Sequence, residues 1–156
     1  MVRCVTGLRI ERAMSEHGYF IEDLEPGMSA SFGKTITDAD ILMFAGVSGD
    51  TNPVHLNEEF AGGTPFRGRI AHGLLTASLI STAIGTKLPG PGCIYVSQTM
   101  RFLAPVRAGD TVTARVTVSA IDLPRRRVRM ETVCLVGGRP VLEGEAVILV
   151  PRRPGS

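Results

Sequence analysis

The sequence predicts an α+β fold: one domain in which an antiparallel sheet wraps a single long apolar helix. Three observations carry this. Gly73 to Leu88 is an apolar run interrupted by Thr76, Ser78, Ser81 and Thr82, short of the ~20 residues that span a bilayer and suited to a buried helix. Everything after it reads as strand. Gly137-Gly138 then divides the last two strands, a two-residue hairpin signal that makes them antiparallel neighbours.

The elements follow in order. MVRCVTGLRIERA lacks the apolar core of a secretory leader, and Met14 precedes SEHGYFIEDLEPGM, a natural lead-in. Residues 1–20 are expected to be an extension or lead-in, 21–151 the domain and 152–156 a short tail. After Glu25-Pro26-Gly27, MSASFGKTI is short and β-like. Thr37 begins a helix, because it can cap, Asp38 and Asp40 sit in the positive first turn, and Asp40 stands three residues on. Ile41, Phe44, Ala45 and Val47 give that helix an apolar side. Gly49 ends it, and Asn52-Pro53 is expected to keep helix from resuming at once. A brief helical turn is expected from Asn57 to Ala61, then the loop GGTPFRGRIAHG. The strands are Cys93–Leu103, a segment containing TVTARVTV, Arg127–Val136 and Arg139–Val150. TVTARVTV alternates strictly, with Val112, Ala114, Val116 and Val118 on one face.

Composition narrows the functional classes. Apolar residues are 44% and charged residues 21%, as in water-soluble globular proteins, and a net charge of +2 is too small to draw nucleic acid by field alone. Cys4, Cys93 and Cys134 have neither the pairing nor the spacing of a disulfide framework or zinc knuckle, so a reducing, cytoplasmic setting is expected. Arg125, Arg126, Arg127 and Arg129 follow Pro124; they read as a solvated turn entering a strand or as a rim that meets phosphates.

The chemistry concentrates in SGDTNPVH, Ser48 to His55. Five residues apart, Asp50 and His55 would diverge on a helix and face opposite ways on a strand, so only irregular backbone brings them together. Gly49 and Asn52-Pro53 supply that backbone. A fixed carboxylate and imidazole can hold one water and move its protons. The same residues also serve as a plain helix terminator with a packed histidine behind it. His72-Gly73 opens the long helix, whose first amides are free donors at its positive end; at Gly73 a ligand carbonyl can approach closely and an oxyanion be stabilised. Ser81 follows on the stripe Gly73, Ala77, Ser81, Ile84, either satisfied by its own helix or turned to the site. His72 reads as a structural or helix-end residue.

Taken together, GVSGDTNPVHLNEEFA, IAHGLLTASLIS and SQTMRFLAPVRAGDTV closely resemble the MaoC-like, (R)-specific enoyl-CoA hydratases of the hot-dog fold, over about Ile36 to Asp110. The resemblance implies a homodimer or higher homo-oligomer with sheets joined edge to edge, and an acyl-CoA thioester substrate whose 2-trans double bond takes up water. It implies Asp50 and His55 as the catalytic pair, the Gly73 amide as oxyanion donor and Ser81 as a nearby hydroxyl. Leu75, Leu79 and Ile84 are candidates for an acyl tunnel, or equally for core packing. Arg67, Arg69 and Arg126 are candidates for the coenzyme's phosphates. No cofactor or metal beyond the substrate's own coenzyme A is expected, nor any nucleic-acid or membrane partner. A dehydratase of acyl-carrier-protein thioesters, a hot-dog thioesterase and a non-catalytic acyl-CoA-binding protein are the rival readings.

Overall fold

The computed structural model describes residues 17–155; residues 1–16 of the expected extension or lead-in lie outside them. A 3-10 turn at Ile21–Asp23 leads into β1 (Ser29–Thr35), α1 (Asp38–Ser48), α2 (Pro53–Leu56), α3 (Glu58–Gly62), α4 (Gly73–Thr86), β2 (Ile94–Phe102), β3 (Thr111–Asp122), β4 (Arg127–Val136) and β5 (Arg139–Leu149). The strands form one antiparallel sheet in the order β1-β3-β4-β5-β2. The helix α4 lies against β1, β3 and β4.

Period-two patterning selects the inner face. Val112, Ala114, Val116 and Val118 are buried, and across from them so are Val128, Met130 and Cys134 of β4 and Leu142, Ala146 and Ile148 of β5. Against this surface α4 sets Leu75, Leu79, Ile80, Ala83 and Ile84. Leu75, Leu79 and Ile84 are therefore core, and none of the three reaches the cleft described below. The opposite side of α4 presents Leu74, Ser78, Ser81 and Gly85 to solvent. Gly137 and Gly138 have φ of 55° and 79°, the left-handed pair that a tight β4–β5 hairpin requires.

The helix α1 begins as its sequence requires. The Thr37 hydroxyl accepts from Asp40 N, while Asp40 accepts from Thr37 N at 2.8 Å. Its apolar side is narrower than expected: Ile41 and Ala45 are buried, but Val47 is 89% exposed. Gly49 closes the helix in the left-handed region, φ 77°. The expected gap after Asn52-Pro53 is not found. Pro53 is the first residue of α2, where its missing N–H costs nothing, and Asn52 caps that turn by accepting from Val54 N.

At the far end of α4, Gly18 N and Tyr19 N donate to the carbonyls of Pro91 and Pro89, and Ile21 N donates to that of Pro151. Residues 18–21 thereby clasp the loop after α4 to the segment after β5. A Cβ on Gly18 would stand 2.2 Å from the Pro89 carbonyl oxygen, so only glycine fits there.

Candidate active site

The cleft opens at the N-terminal end of α4. It has a volume of about 430 Å³ and is lined by Asp50, His55 and Gly73 with an apolar surround that includes Phe66, Phe102, Val106 and Val141. The bend made by Gly49 and α2 turns Asp50 and His55 to face each other, His55 Nε2 standing 4.0 Å from Asp50 Oδ2. His55 is buried whereas the Asp50 carboxylate is half exposed. His55 Nδ1 lies 2.8 Å from the Ile70 carbonyl oxygen. A carbonyl only accepts, so Nδ1 carries a proton, and in the neutral imidazole Nε2 then faces Asp50 with a lone pair. Two acceptors at this separation can hold one water by both its hydrogens.

Gly73 lines the cleft and opens α4, and no side chain caps that first turn. A Cβ here would meet Phe102 Cε1 at 2.6 Å. The ring of Phe102, at the end of β2, thus packs directly on the glycine.

His72 is more than the end of a helix. It is 1% exposed, its Nε2 donates to the Asp50 carbonyl oxygen at 2.9 Å, and its ring stacks on His55 with centroids 3.8 Å apart. Phe44 of α1 lies against its other side, 4.9 Å between centroids. Donor atoms of Asp50, His55 and His72 lie within 4.8 Å of one another, as metal ligands can. Two of the ring nitrogens are engaged, His72 Nε2 with the Asp50 carbonyl and His55 Nδ1 with that of Ile70.

Other expected residues fall elsewhere. Ser81 is on the exposed side of α4, outside the lining of the cleft, and its hydroxyl makes none of the hydrogen bonds among the described residues. Arg69 is committed to Asp38 at 2.9 Å and Glu58 at 3.1 Å, and so pins the loop before α4 to α1 and α3. Arg107 braces the same loop through the carbonyls of Arg69 and Phe66. Arg126, with φ of 54°, turns the chain between β3 and β4 and accepts from Val150 N, at the end of the sheet remote from the cleft within one chain. Arg67 is exposed, next to Phe66 of the cleft, and makes no ion pair among the described residues. The apolar lining from Phe66, Phe102, Val106 and Val141 was not predicted, although Phe102 and Val106 lie within SQTMRFLAPVRAGDTV.

Residues 23–137 match the model of the MaoC like domain. The chain belongs to the MaoC-like domain family. This MaoC-like domain is 53% identical over 135 residues to an (R)-specific enoyl-CoA hydratase of Rhodospirillum rubrum, covering 86% of this chain and 94% of that one. It is 51% identical to a 3-hydroxybutyryl-CoA dehydratase of Methylorubrum extorquens, over 86% of this chain and 85% of the other. Among solved structures it superposes on the unliganded R-hydratase PhaJ1 of Pseudomonas aeruginosa with a TM-score of 0.82 and 45% identity, covering 88% of each chain. The antiparallel sheet with α4 against it, together with this superposition, makes the MaoC-like domain here a hot-dog fold.

Proposed function

We propose that this protein is an (R)-specific enoyl-CoA hydratase, adding water to 2-trans-enoyl-CoA or removing it from the (R)-3-hydroxyacyl-CoA. The observation that carries the reading is His55 Nε2 facing the Asp50 carboxylate at 4.0 Å, beside the uncapped start of α4. In hydration, a water donates one hydrogen to Asp50 and the other to His55 Nε2. Its oxygen attacks C3, the C2–C3 π pair moves toward C1, and the thioester oxygen takes up charge at the Gly73 N–H. Asp50 accepts the water proton and His55 holds the water and helps pass the proton on. C2 receives it, so the pair ends the cycle as it began.

The working unit in this reading is a homodimer joined through β2. That strand is an edge, yet Ile94, Val96 and Phe102 on it are about half exposed, as is Leu74 on the outer side of α4. Apolar edges of this kind ordinarily find a partner. The free thiols of Cys93 and Cys134 suit a reducing compartment such as the cytoplasm. Arg67 remains the candidate for the coenzyme's phosphates.

A second reading rests on plant relatives. The chain is 33% identical to a mitochondrial 3-hydroxyacyl-[acyl-carrier-protein] dehydratase of Solanum lycopersicum. The test follows loss of the conjugated thioester absorbance with crotonyl-CoA and with its acyl-carrier-protein counterpart, coupled to an (R)-specific 3-hydroxyacyl-CoA dehydrogenase. Turnover of the coenzyme A thioester to (R) product is expected, with an Asp50→Asn variant slowed at least about 100-fold. Turnover of the carrier-protein thioester alone would move the assignment to the second reading. Release of free thiol would replace both with thioester hydrolysis.

A further inference from the structure

We infer that His72 is the positioning residue of the site, a single side chain that sets both members of the pair at once. This rests on the hydratase reading. Its Nε2–H fixes the main chain of Asp50 at 2.9 Å, and its face fixes the ring of His55 at 3.8 Å between centroids. Among the described residues Asp50 is otherwise hydrogen-bonded only within its own exposed loop, its N–H donating to Ser48 Oγ and its carboxylate accepting from Asn52 N, both at 3.2 Å. His55 is tied separately through Nδ1 to Ile70 at 2.8 Å, and the His72 side chain touches both.

The unpartnered atom of His72 points to the same role. Its Nδ1 is the one buried side-chain nitrogen or oxygen among the described residues that lacks a hydrogen bond. Leaving such an atom unmet costs stability. A leucine or phenylalanine would fill this place between Phe44 and His55 without that cost, if packing were all that the position required. What those residues lack is the donor to Asp50. The Asp50 carbonyl can only accept, so the proton must sit on Nε2, and Nδ1 is left bare as a consequence. Stability is given up here for alignment, which counts because a displacement of about 1 Å in such a pair can slow turnover about 100-fold.

Two variants separate the donor from the stack. His72→Phe keeps a ring over His55 and removes the N–H. His72→Gln places an N–H near the position of Nε2 and gives up the ring. For hydration of crotonyl-CoA, His72→Phe should lower kcat about 100-fold with KM within about threefold, at an unchanged or higher melting temperature. His72→Gln should recover at least about tenfold of that loss. A folded His72→Phe with the wild-type kcat would overturn the inference, as would a loss carried wholly in KM.

Should His72→Phe fail to fold, the wild type supplies the decision through 15N-resolved histidine side-chain NMR. His72 should show a protonated, slowly exchanging Nε2 and an unprotonated Nδ1. A proton on Nδ1, or rapid exchange between the two nitrogens, would overturn it. This signature is independent of turnover: if the protein proves not to be a hydratase, the tautomer still appears while every kinetic arm is silent.

Discussion

Asp50, His55 and Gly73 could be found in the sequence because each is announced by neighbours with a backbone consequence: Gly49, Asn52-Pro53 and the apolar run after Gly73. His72, Phe102 and Val141 were not legible as site residues. Phe102 and Val141 arrive from distant segments, and nothing in the local pattern says which side chains α4 and the sheet will bring together; His72 adjoins Gly73 but reads locally as the end of a helix. Gly73 allows a test at this scale. In Gly73→Ala the new Cβ, 2.6 Å from the present position of Phe102 Cε1, should drive the ring into the cleft. A loss on the order of tenfold in kcat/KM is expected, largely restored by adding Phe102→Ala. A double variant as slow as the single one would show that the ring is not the cause. The cysteines give a second test. Burial raises both thiols, Cys134 to about 12, so neither presents thiolate near pH 8. Alkylation followed by peptide mass spectrometry should therefore be slow at Cys134 in the native protein and fast in urea, accelerating in the native state only as pH climbs well above 9. Rapid native labelling would contradict the buried placement.

The elements themselves were the most readable layer, since strands and helices declare their period and their ends. Thr37 and Asp40 named the start of α1, and the five strands fall close to where alternation put them. Pro53 was misread because proline forbids a helix before it but favours the first turn of one that starts with it. The Thr37 backbone N–H, then its hydroxyl, hold the Asp40 carboxyl below the usual range. A folded-state value below the unfolded one means that this stabilisation is present above pH 4 and fades as pH falls through the folded value. Asp40→Asn should thus lower stability at pH 7 by roughly 0.5 to 1 kcal/mol, allowing for solvent screening, with the gap closing below about pH 4 in denaturant titrations. An unchanged gap at low pH would count against the charged cap. On α4, Leu79 is core, whereas the tunnel reading had it lining substrate. Leu79→Ala should cost about 3 kcal/mol of stability yet leave the order of preference among acyl chain lengths as it was. A variant that redistributes that preference would return Leu79 to the substrate's path.

At the scale of the whole molecule, the sheet order puts β2 at an edge with apolar side chains facing outward, and this was not recoverable from alternation in a strand exposed on both faces. Ile94→Lys with Val96→Lys should convert a sedimenting dimer to monomer and reduce turnover with it. A wild type that sediments as a monomer at assay concentration while fully active would remove the dimer from the proposal. The clasp at residues 18–21 has a different use. It brings Ile21 and Pro151 within a hydrogen bond of each other, 2.9 Å from N to O, at the end of α4 opposite the cleft. A short linker from Gly155 to His17 therefore asks little of the chain, and new termini can be opened at the exposed turn between Arg125 and Arg126. Such a rewired gene would encode the same five strands in a rotated order, with its ends clear of the cleft and free to carry a tether or a fused enzyme.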